Sequence, residues 1–307
     1  MIMSQNIIPS FLKKGDLIGI TCPSGHMNPK NAEICVKQLR EKGYEVMLGK
    51  TITYPSDNYF SAPDDVKLDE LQAMLDAPEI KAILFGRGGY GMSRLMDQLD
   101  FKHFRKNPKW LIGFSDITIM LNHVYSNFRM ASIHGPMCGA FRNKKQAENV
   151  TSLFQVLSGK KIKLSAESHP QNRIGVAKGT LVGGNLCLLA NSIGTASSMK
   201  TAGKILLIEE IGEYLYSIDR LLQQLKRSGQ LSRLSGLVIG SFTDIKDTER
   251  PFGKTYEEII ADIVKPYSFP VAFGFPIGHG DQNKAVKIGV EYELKVGSKK
   301  SVLNEIN

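Results

Sequence analysis

Ser115 is the residue whose surroundings point most directly to chemistry. It follows an apolar run and a glycine, in the sequence G-F-S-D at residues 113–116, and a helix-like segment comes after it. This arrangement is typical of a nucleophile elbow, in which a serine on a tight strand-to-helix turn exposes its hydroxyl oxygen. Ile117 stands where the second glycine of G-x-S-x-G belongs. Capping of the next helix by Ser115 and Asp116 explains the same residues, so the motif alone leaves both interpretations open.

A glycine-rich loop, G-R-G-G-Y-G at residues 86–91, follows another apolar run. It formally matches G-x-G-x-x-G, the phosphate-binding sequence of dinucleotide folds. However, it follows the third predicted strand rather than the first, and residues 106–108 are K-N-P where that motif expects an acidic residue. The glycines also suit a structural turn, or a loop whose backbone amides bind an oxyanion or a substrate. We favour the last interpretation and keep a nucleotide-binding oxidoreductase as a distant alternative.

Two carboxylates and two histidines follow other predicted strands. Glu209 and Glu210 end an apolar strand, and neighbouring strand residues point to opposite faces, so only one of them can face a site. On this pattern alone, a solvated acidic loop is the favoured interpretation of the two carboxylates. His279 lies between two glycines, a setting that suits proton transfer near neutral pH, and His134 is its rival beyond another strand. Spacing does not choose between the two histidines.

A serine, a carboxylate and a histidine together make a nucleophilic set. A serine hydroxyl needs a neighbouring base near neutral pH, and the imidazole needs a carboxylate that fixes its tautomer and stabilises its charged form. Two backbone amides must then bind the oxyanion. The sequence therefore offers candidates for every part of a serine-hydrolase site.

The elements that must position these loops alternate between strand and helix in the first half of the chain. Alternation of this kind predicts an α/β domain with a parallel sheet covered on both faces. Strands are expected at residues 17–21, 44–48, 80–85, 110–114 and 131–133. Helices are expected from residue 28 to about 41, and from residue 61 to about 78.

The second half resumes after a polar stretch rich in Lys, Ser, His, Pro and Asn. We predict a nucleophile domain at residues 1–162, a linker at 163–180 and a second domain at 181–307. Within the second domain, strands are expected at 206–209, 234–242 and 271–275, helices at 218–227 and 256–264, and a strand pair at 286–296.

Composition places the chain among ordinary globular proteins. It has 307 residues with 42% hydrophobic and 22% charged residues, and its apolar runs are far shorter than the roughly 20 residues of a membrane span. The start lacks a secretory signal pattern, so we expect a cytoplasmic protein with no membrane partner.

The net charge and the cysteine spacing limit which classes of partner and cofactor we expect. The net charge is +9, and because its lysine clusters are not interleaved with aromatic residues we expect no nucleic acid partner. A substrate bearing several carboxylates is compatible with that charge. The four cysteines show neither CxxC pairing nor metal-ligand spacing, so we expect no metal and no cofactor.

The motifs occurring together and in order resemble the LD-carboxypeptidases, serine peptidases that include murein tetrapeptide carboxypeptidases and microcin-immunity proteins. The resemblance spans nearly the whole chain. Lys287 departs from the family pattern, which usually has proline there, and this puts the local turn in doubt but not the catalytic residues. The motifs that carry the resemblance are residues 86–91, 113–116, 134–136 (H-G-P), 183–186 (G-G-N-L), 209–213 (E-E-I-G-E) and 278–280 (G-H-G).

The resemblance implies a role for each candidate. Ser115 is the nucleophile, His279 the general base and then acid, and Glu209 orients the histidine. The oxyanion hole consists of the amides of Asp116 and one of the paired glycines, Gly88 or Gly89, of which we choose Gly89. The implied fold has a flavodoxin-like or Rossmann-like N-terminal domain carrying the serine and a smaller, swivelling C-terminal α/β domain carrying the other two residues.

The resemblance also implies a substrate and an assembly. Murein members of the family remove the terminal D-alanine from cytoplasmic tetrapeptides during cell-wall recycling, by cutting after an L-centre of diaminopimelate or lysine, and they are often homodimers. An immunity peptidase that cleaves peptidyl-nucleotides is the main alternative. Arg87 is a candidate for binding the terminal carboxylate, with an outward-pointing surface arginine as the alternative interpretation.

Overall fold

The computed structural model describes residues 6–306, which divide into two compact α/β units. The first unit contains the chain up to Lys160 together with Lys284–Lys287. The second contains Lys161–Asn283 and the chain from Ile288 onward. The prediction of two α/β domains is thus confirmed, with the addition that a short piece of the second half completes the first unit.

The first unit is built on a sheet in which β1 to β5 are joined by parallel pairings. Its strands are β1 (Leu17–Thr21), β2 (Glu45–Leu48), β3 (Ile80–Phe85), β4 (Trp110–Gly113), β5 (Ser132–His134) and β11 (Val286–Ile288). Its helices are α1 (Pro29–Glu41), α2 (Asp64–Asp76), α3 (Met92–Leu95), α4 (Lys102–Lys106), α5 (Thr118–Phe128) and α6 (Ala147–Leu157).

The strand order of this sheet locates a binding crevice. The order is β2-β1-β3-β4-β5-β11, so the chain proceeds from β1 to one side and then returns to the other side at β3. This is the flavodoxin-like order, and ligands of such sheets bind at the carboxyl ends of the strands where the order reverses. The loops after β1 and β3 lie at that point, and the loop after β4 is the next one along.

The second unit is built on a mixed sheet with the order β10-β9-β8-β7-β12-β13-β6. Neighbours from β7 to β10 pair in parallel, and the rest pair antiparallel. Its strands are β6 (Lys163–Glu167), β7 (Gly175–Asn185), β8 (Ile205–Ile211), β9 (Gly236–Thr243), β10 (Val271–Ala272), β12 (Glu291–Val296) and β13 (Lys300–Glu305). Its helices are α7 (Leu186–Asn191), α8 (Leu215–Arg227) and α9 (Tyr256–Val264).

The predicted linker at residues 163–180 is corrected by the structure. This stretch contains β6 and the first half of β7, both of which belong to the second sheet. Strand β6 pairs with β13 at the sheet edge, and four of its five residues are exposed or half-buried. Because a half-exposed antiparallel strand carries many polar side chains, its composition is similar to that of a linker.

The predicted strand pair at residues 286–296 is corrected as well. Both strands exist, but β11 lies beside β5 in the first sheet, whereas β12 lies between β7 and β13 in the second. The apolar alternation identifies a strand and does not identify its partner. No helix within residues 6–306 is long and apolar enough to cross a membrane.

Candidate active site

Ser115 lies on a strained turn directly after β4. Phe114 is extended, and Ser115 has a φ of 62°, in the left-handed region that residues other than glycine rarely adopt. A short 3₁₀ turn, Ser115–Ile117, then leads into α5. This conformation costs about 1–3 kcal/mol and is concentrated at functional sites. The local geometry is that of a strand–turn–helix elbow, which is one of the two interpretations that the motif left open.

Ile117 explains the departure from the usual elbow motif. A Cβ atom placed on Gly113 would lie 3.1 Å from Cβ and from both γ-carbons of Ile117. The side chain of Ile117 therefore packs over the bare backbone of Gly113. One glycine provides the close packing for which the motif normally uses two.

The glycine-rich loop after β3 packs against this turn. A Cβ atom on Gly88 would lie 2.8 Å from the Ser115 Cβ and 3.0 Å from its Oγ, so no other residue fits there without displacement. Gly89, with a φ of +106°, continues the loop in a conformation that favours glycine. The glycines thus bring backbone to the serine hydroxyl, as an oxyanion site requires.

Asp116 joins the three loops of this site. Its buried carboxylate accepts hydrogen bonds from Ser24 Oγ (2.5 Å), in the loop after β1, and from the Met92 amide (2.7 Å), at the start of α3 directly after the glycine-rich loop. Burial raises the pKa of the Asp116 carboxyl above its usual value, although these hydrogen bonds act in the opposite direction. The sequence suggested a helix cap or an oxyanion-binding amide for Asp116 but not this role of its carboxylate, and it gave no signal for Ser24, which belongs to no motif.

In the second unit, Glu209 and His279 form a close pair. Glu209 lies on β8 and is fully buried, and its Oε2 is 2.6 Å from Nδ1 of His279. Burial disfavours the charged imidazolium, but the hydrogen bond and negative charge of Glu209 outweigh burial and raise the pKa of His279 above its usual value. The carboxylate therefore both orients the ring and favours its protonated form.

The loop that carries His279 is held on both sides of the histidine. Gly278 has a φ of +112°, and a Cβ atom there would lie 2.7 Å from Glu209 Oε2 and from Ser241 Oγ. Ser241 Oγ accepts a hydrogen bond from the Gly280 amide (2.9 Å) and donates to the Ile277 carbonyl (3.2 Å). Ser241, on β9, was not identified from the sequence, where it is a single serine in an apolar strand.

Glu210 points away from the pair. Its carboxylate accepts hydrogen bonds from Asn185 Nδ2 (2.9 Å), the Cys187 amide (2.8 Å) and the Ile211 amide (2.8 Å). Burial, opposed by these bonds, raises the pKa of Glu210 to about 7. The prediction that only one of the two adjacent carboxylates faces the histidine agrees with this arrangement, which gives Glu210 a role in holding the start of α7.

His134, the rival histidine, belongs to the first unit. It ends β5, is fully buried, and its ring lies 5.7 Å from the ring of Phe114. The close contact of His279 with a buried carboxylate favours His279 as the base. Within residues 6–306, no three His, Cys, Asp or Glu side chains are grouped so that they could hold a metal ion.

Comparisons with known proteins agree with these observations. The LD-carboxypeptidase N-terminal domain matches residues 18–135, and the LD-carboxypeptidase C-terminal domain matches residues 178–294. The probable murein peptide carboxypeptidase of Bacillus subtilis is 33% identical, covering 98% of this chain and 96% of its own. The Microcin C7 self-immunity protein MccF of Escherichia coli is 24% identical, over 99% and 98%.

A solved structure extends the match to three dimensions. The muramoyltetrapeptide carboxypeptidase of Oxalobacter formigenes superposes with a TM-score of 0.85 at 27% identity, covering 95% of this chain and 99% of the other. Both units of the chain are therefore matched, in sequence and in fold. The protein belongs to the LD-carboxypeptidase family and is a peptidase.

Proposed function

We propose that this protein is a serine carboxypeptidase that cleaves the L,D-peptide bond to the terminal D-alanine of murein tetrapeptides. The observation that carries the proposal is the 2.6 Å contact between His279 Nδ1 and Glu209 Oε2. A buried carboxylate on Nδ1 assigns proton exchange to Nε2, as in Ser-His-Asp triads. The names of the murein peptidases to which the chain is similar support the substrate.

In the first half of the reaction, Ser115 Oγ attacks the carbonyl carbon of the L-centre while His279 Nε2 takes the hydroxyl proton. Glu209 stabilises the imidazolium that forms and stays ionised. The carbonyl oxygen becomes an oxyanion, for which we propose the amides of Gly89 and Asp116 as donors. The position of Gly88 against Ser115 supports a role for this glycine loop rather than a dinucleotide site.

In the second half, the oxyanion collapses and the C–N bond breaks. His279 gives its proton to the departing amine, which leaves as free D-alanine, and an ester joins the peptide to Ser115. Water then attacks the ester, with His279 again as base. The products are D-alanine and a tripeptide, and Ser115 recovers its proton.

Incubation with a panel of murein peptides tests the reaction. The tetrapeptide should lose one D-alanine, whereas the pentapeptide, whose last bond is D,D, and an all-L tetrapeptide should stay essentially intact. In the pentapeptide, the centre that bears the last scissile carbonyl is inverted, which displaces the carbonyl from the oxyanion donors, and about 1 Å of displacement costs on the order of 10²-fold. In the all-L tetrapeptide, that centre is unchanged, but the leaving residue is inverted and its terminal carboxylate is displaced. Mass spectrometry and released alanine measure the outcome. Comparable rates on all three peptides would contradict the L,D assignment, and a panel with diaminopimelate or lysine at position three defines the substrate further.

A peptidyl-nucleotide hydrolase of the immunity type is the second candidate. The near full-length similarity to the MccF immunity protein supports it. It uses the same three residues, so variants of Ser115 do not separate the two functions. Hydrolysis of a peptidyl-adenylate in the absence of tetrapeptide cleavage would select this candidate.

Cellular location and assembly complete the proposal. A role in cell-wall recycling requires a cytoplasmic enzyme, because recycled peptides are processed inside the cell, and the family resemblance adds a homodimer. Light scattering of the purified protein measures the assembly, and a mass of 34.0 kDa would identify a monomer instead.

A further inference from the structure

Tyr59 presents its hydroxyl to the glycine loop beside Ser115. A Cβ atom on Gly89 would lie 2.8 Å from Tyr59 Oη and 3.6 Å from the Gly25 Cα, so the hydroxyl lies directly over this glycine. The side chain of Tyr59 is 56% exposed. Within the described part of the chain, its hydroxyl makes no hydrogen bond to protein. The hydroxyl of Tyr59 therefore makes no contribution to the stability of the fold through a hydrogen bond.

The backbone holds this tyrosine in place. Its carbonyl accepts a hydrogen bond from the His26 amide (3.0 Å), and the neighbouring Phe60 forms a β-bridge with Gly25. The Tyr59 ring also packs edge-on against Phe60, with centroids 5.4 Å apart. Because a tyrosine has only two side-chain torsions, this anchoring presents the hydroxyl at little entropic cost.

Arg87 approaches the same turn from the glycine loop. Its Nη1 donates to the His26 carbonyl (2.5 Å), and its Nε lies 3.9 Å from where a Cβ of Gly25 would be. The residue is exposed, and a guanidinium has five N–H donors, so the bond to His26 orients the group and leaves other donors for a ligand. The phenol thus lies over Gly89 and the guanidinium beside Gly25, whose Cα is 3.6 Å from where a Cβ of Gly89 would be.

Consecutive residues of the glycine loop contact Ser115 and Tyr59. Gly88 packs on Ser115 and the next residue, Gly89, packs under Tyr59. Consecutive Cα atoms are 3.8 Å apart, which is also the distance between neighbouring residues of a substrate. If Ser115 attacks the scissile carbonyl, the Tyr59 position lies about one residue further on. The group found there in an exopeptidase substrate is the terminal carboxylate.

We propose that Tyr59 and Arg87 form the subsite that binds the C-terminal carboxylate of the peptide substrate. The proposal rests on the proposed function, in which Ser115 is the nucleophile. Guanidinium and phenol groups both donate to carboxylate oxygens, and charge-assisted bonds of this kind are about twice as strong as neutral ones. The subsite accounts for removal of a single residue, since a longer peptide would place an uncharged amide there.

The test compares two substrates in each variant. The L,D-tetrapeptide and its C-terminal carboxamide differ only in the group that the subsite binds. Tyr59→Phe and Arg87→Gln should each lower kcat/KM for the acid by about 10- to 100-fold and leave kcat/KM for the amide nearly unchanged. Tyr216→Phe and Arg105→Gln, matched changes at exposed residues elsewhere, should leave the preference for the acid as it is.

One result would overturn the subsite. It is an acid-to-amide ratio of kcat/KM that stays the same in Tyr59→Phe and Arg87→Gln, whether both values are kept or both fall equally. If the native protein cleaves no tetrapeptide, the proposed function fails, and calorimetry on Ser115→Ala decides the subsite separately. Tighter binding of the acid than of the amide, lost on adding Tyr59→Phe, supports it, whereas equal Kd values for the two peptides overturn it.

Discussion

The two units hold their candidate catalytic groups by different physical means. Ser115 is placed by backbone conformation, a φ of 62° next to a glycine loop, and by a buried aspartate that joins three loops. His279 is placed by side chains, through the carboxylate of Glu209 and the hydroxyl of Ser241. The hydroxyl of a serine nucleophile is neutral at rest, so only its position and orientation must be fixed. A base must also have its proton affinity set, and this requires a charged neighbour.

The largest expected effect is loss of the nucleophile. Ser115→Ala should lower kcat by on the order of 10⁴–10⁶, as in other triads, without unfolding the protein. Steady-state release of D-alanine measures the loss, and circular dichroism checks the fold. A rate near that of the native protein would remove the serine mechanism.

Loss of the base should be almost as severe. His279→Ala is expected to approach the effect of Ser115→Ala, because the two residues act as a unit. The matched variant His134→Ala removes a fully buried ring, so it should lower the melting temperature more than the turnover of the folded enzyme. Kinetics at a temperature where both variants are folded compares them. If His134→Ala costs more turnover, the choice of base is wrong.

The two adjacent carboxylates are expected to have different roles, because Glu209 contacts His279 whereas Glu210 bonds to groups around the start of α7. Glu209→Gln should lower kcat by on the order of 10³–10⁴, because an amide does not stabilise the imidazolium. Glu210→Gln should cost much less activity but reduce stability, since its amide nitrogen would face backbone and Asn185 donors. Kinetics and thermal unfolding of both variants measure this. Equal losses of activity would mean that the two carboxylates are not distinguished as the geometry indicates.

The smallest expected effect concerns Ser241, whose hydroxyl holds the loop that carries His279. Ser241→Ala removes the hydroxyl between Ile277 and Gly280, and kcat should fall by about 10- to 100-fold with little change in KM. Glu209, together with the nearby charge of Glu210, raises the pKa of His279, so the acid limb of kcat/KM should lie above pH 6.5 in the native enzyme. The neutral ring is the active base, and activity is lost as pH falls through that pKa.

Ser241→Ala should move the acid limb of the kcat/KM profile toward lower pH. The loop is held less firmly in this variant, so the contact of His279 with Glu209 weakens and the pKa of His279 falls. NMR titration of the His279 ring measures the same pKa without substrate. A Ser241→Ala variant with the native pH profile and native kcat would show that Ser241 contributes nothing to placement of the base.

The sequence predicted elements best where the chain is buried on both faces. The bounds of β1 and β3 agree with the predicted residues 17–21 and 80–85, because continuous apolar runs mark buried parallel strands. Strand β6 and the first five residues of β7 were missed because their largely exposed or half-buried residues have the composition of a loop, whereas the buried residues 180–185 of β7 were missed although they lie inside the sheet. The pattern of apolar residues along a strand reflects which side chains are buried, and few side chains are buried in a strand at the edge of a sheet.

From motifs and spacing alone, the residues of the site were predictable one by one, whereas the pairing of Glu209 with His279 was implied only by the family resemblance. Glycines and a serine after apolar runs suggested an elbow, whereas nothing in the spacing of Glu209 and His279, seventy positions apart, indicates that they touch. Their pairing depends on the segment after β10, which continues along β9 and so brings His279 to Glu209 on β8. Single polar residues such as Ser24 and Ser241 become visible only when their partners are placed.

Strand β11 has a consequence for how the protein is made. Residues 284–287 complete the first unit, yet the ribosome produces them about 120 residues after Lys160. At roughly 5–20 residues per second, β5 remains an unpaired sheet edge for on the order of ten seconds during synthesis. A gene fragment that stops at Lys160 would leave that edge open permanently. The first unit is therefore not encoded by one contiguous piece of the gene, and it is completed only after most of the second unit has been synthesised.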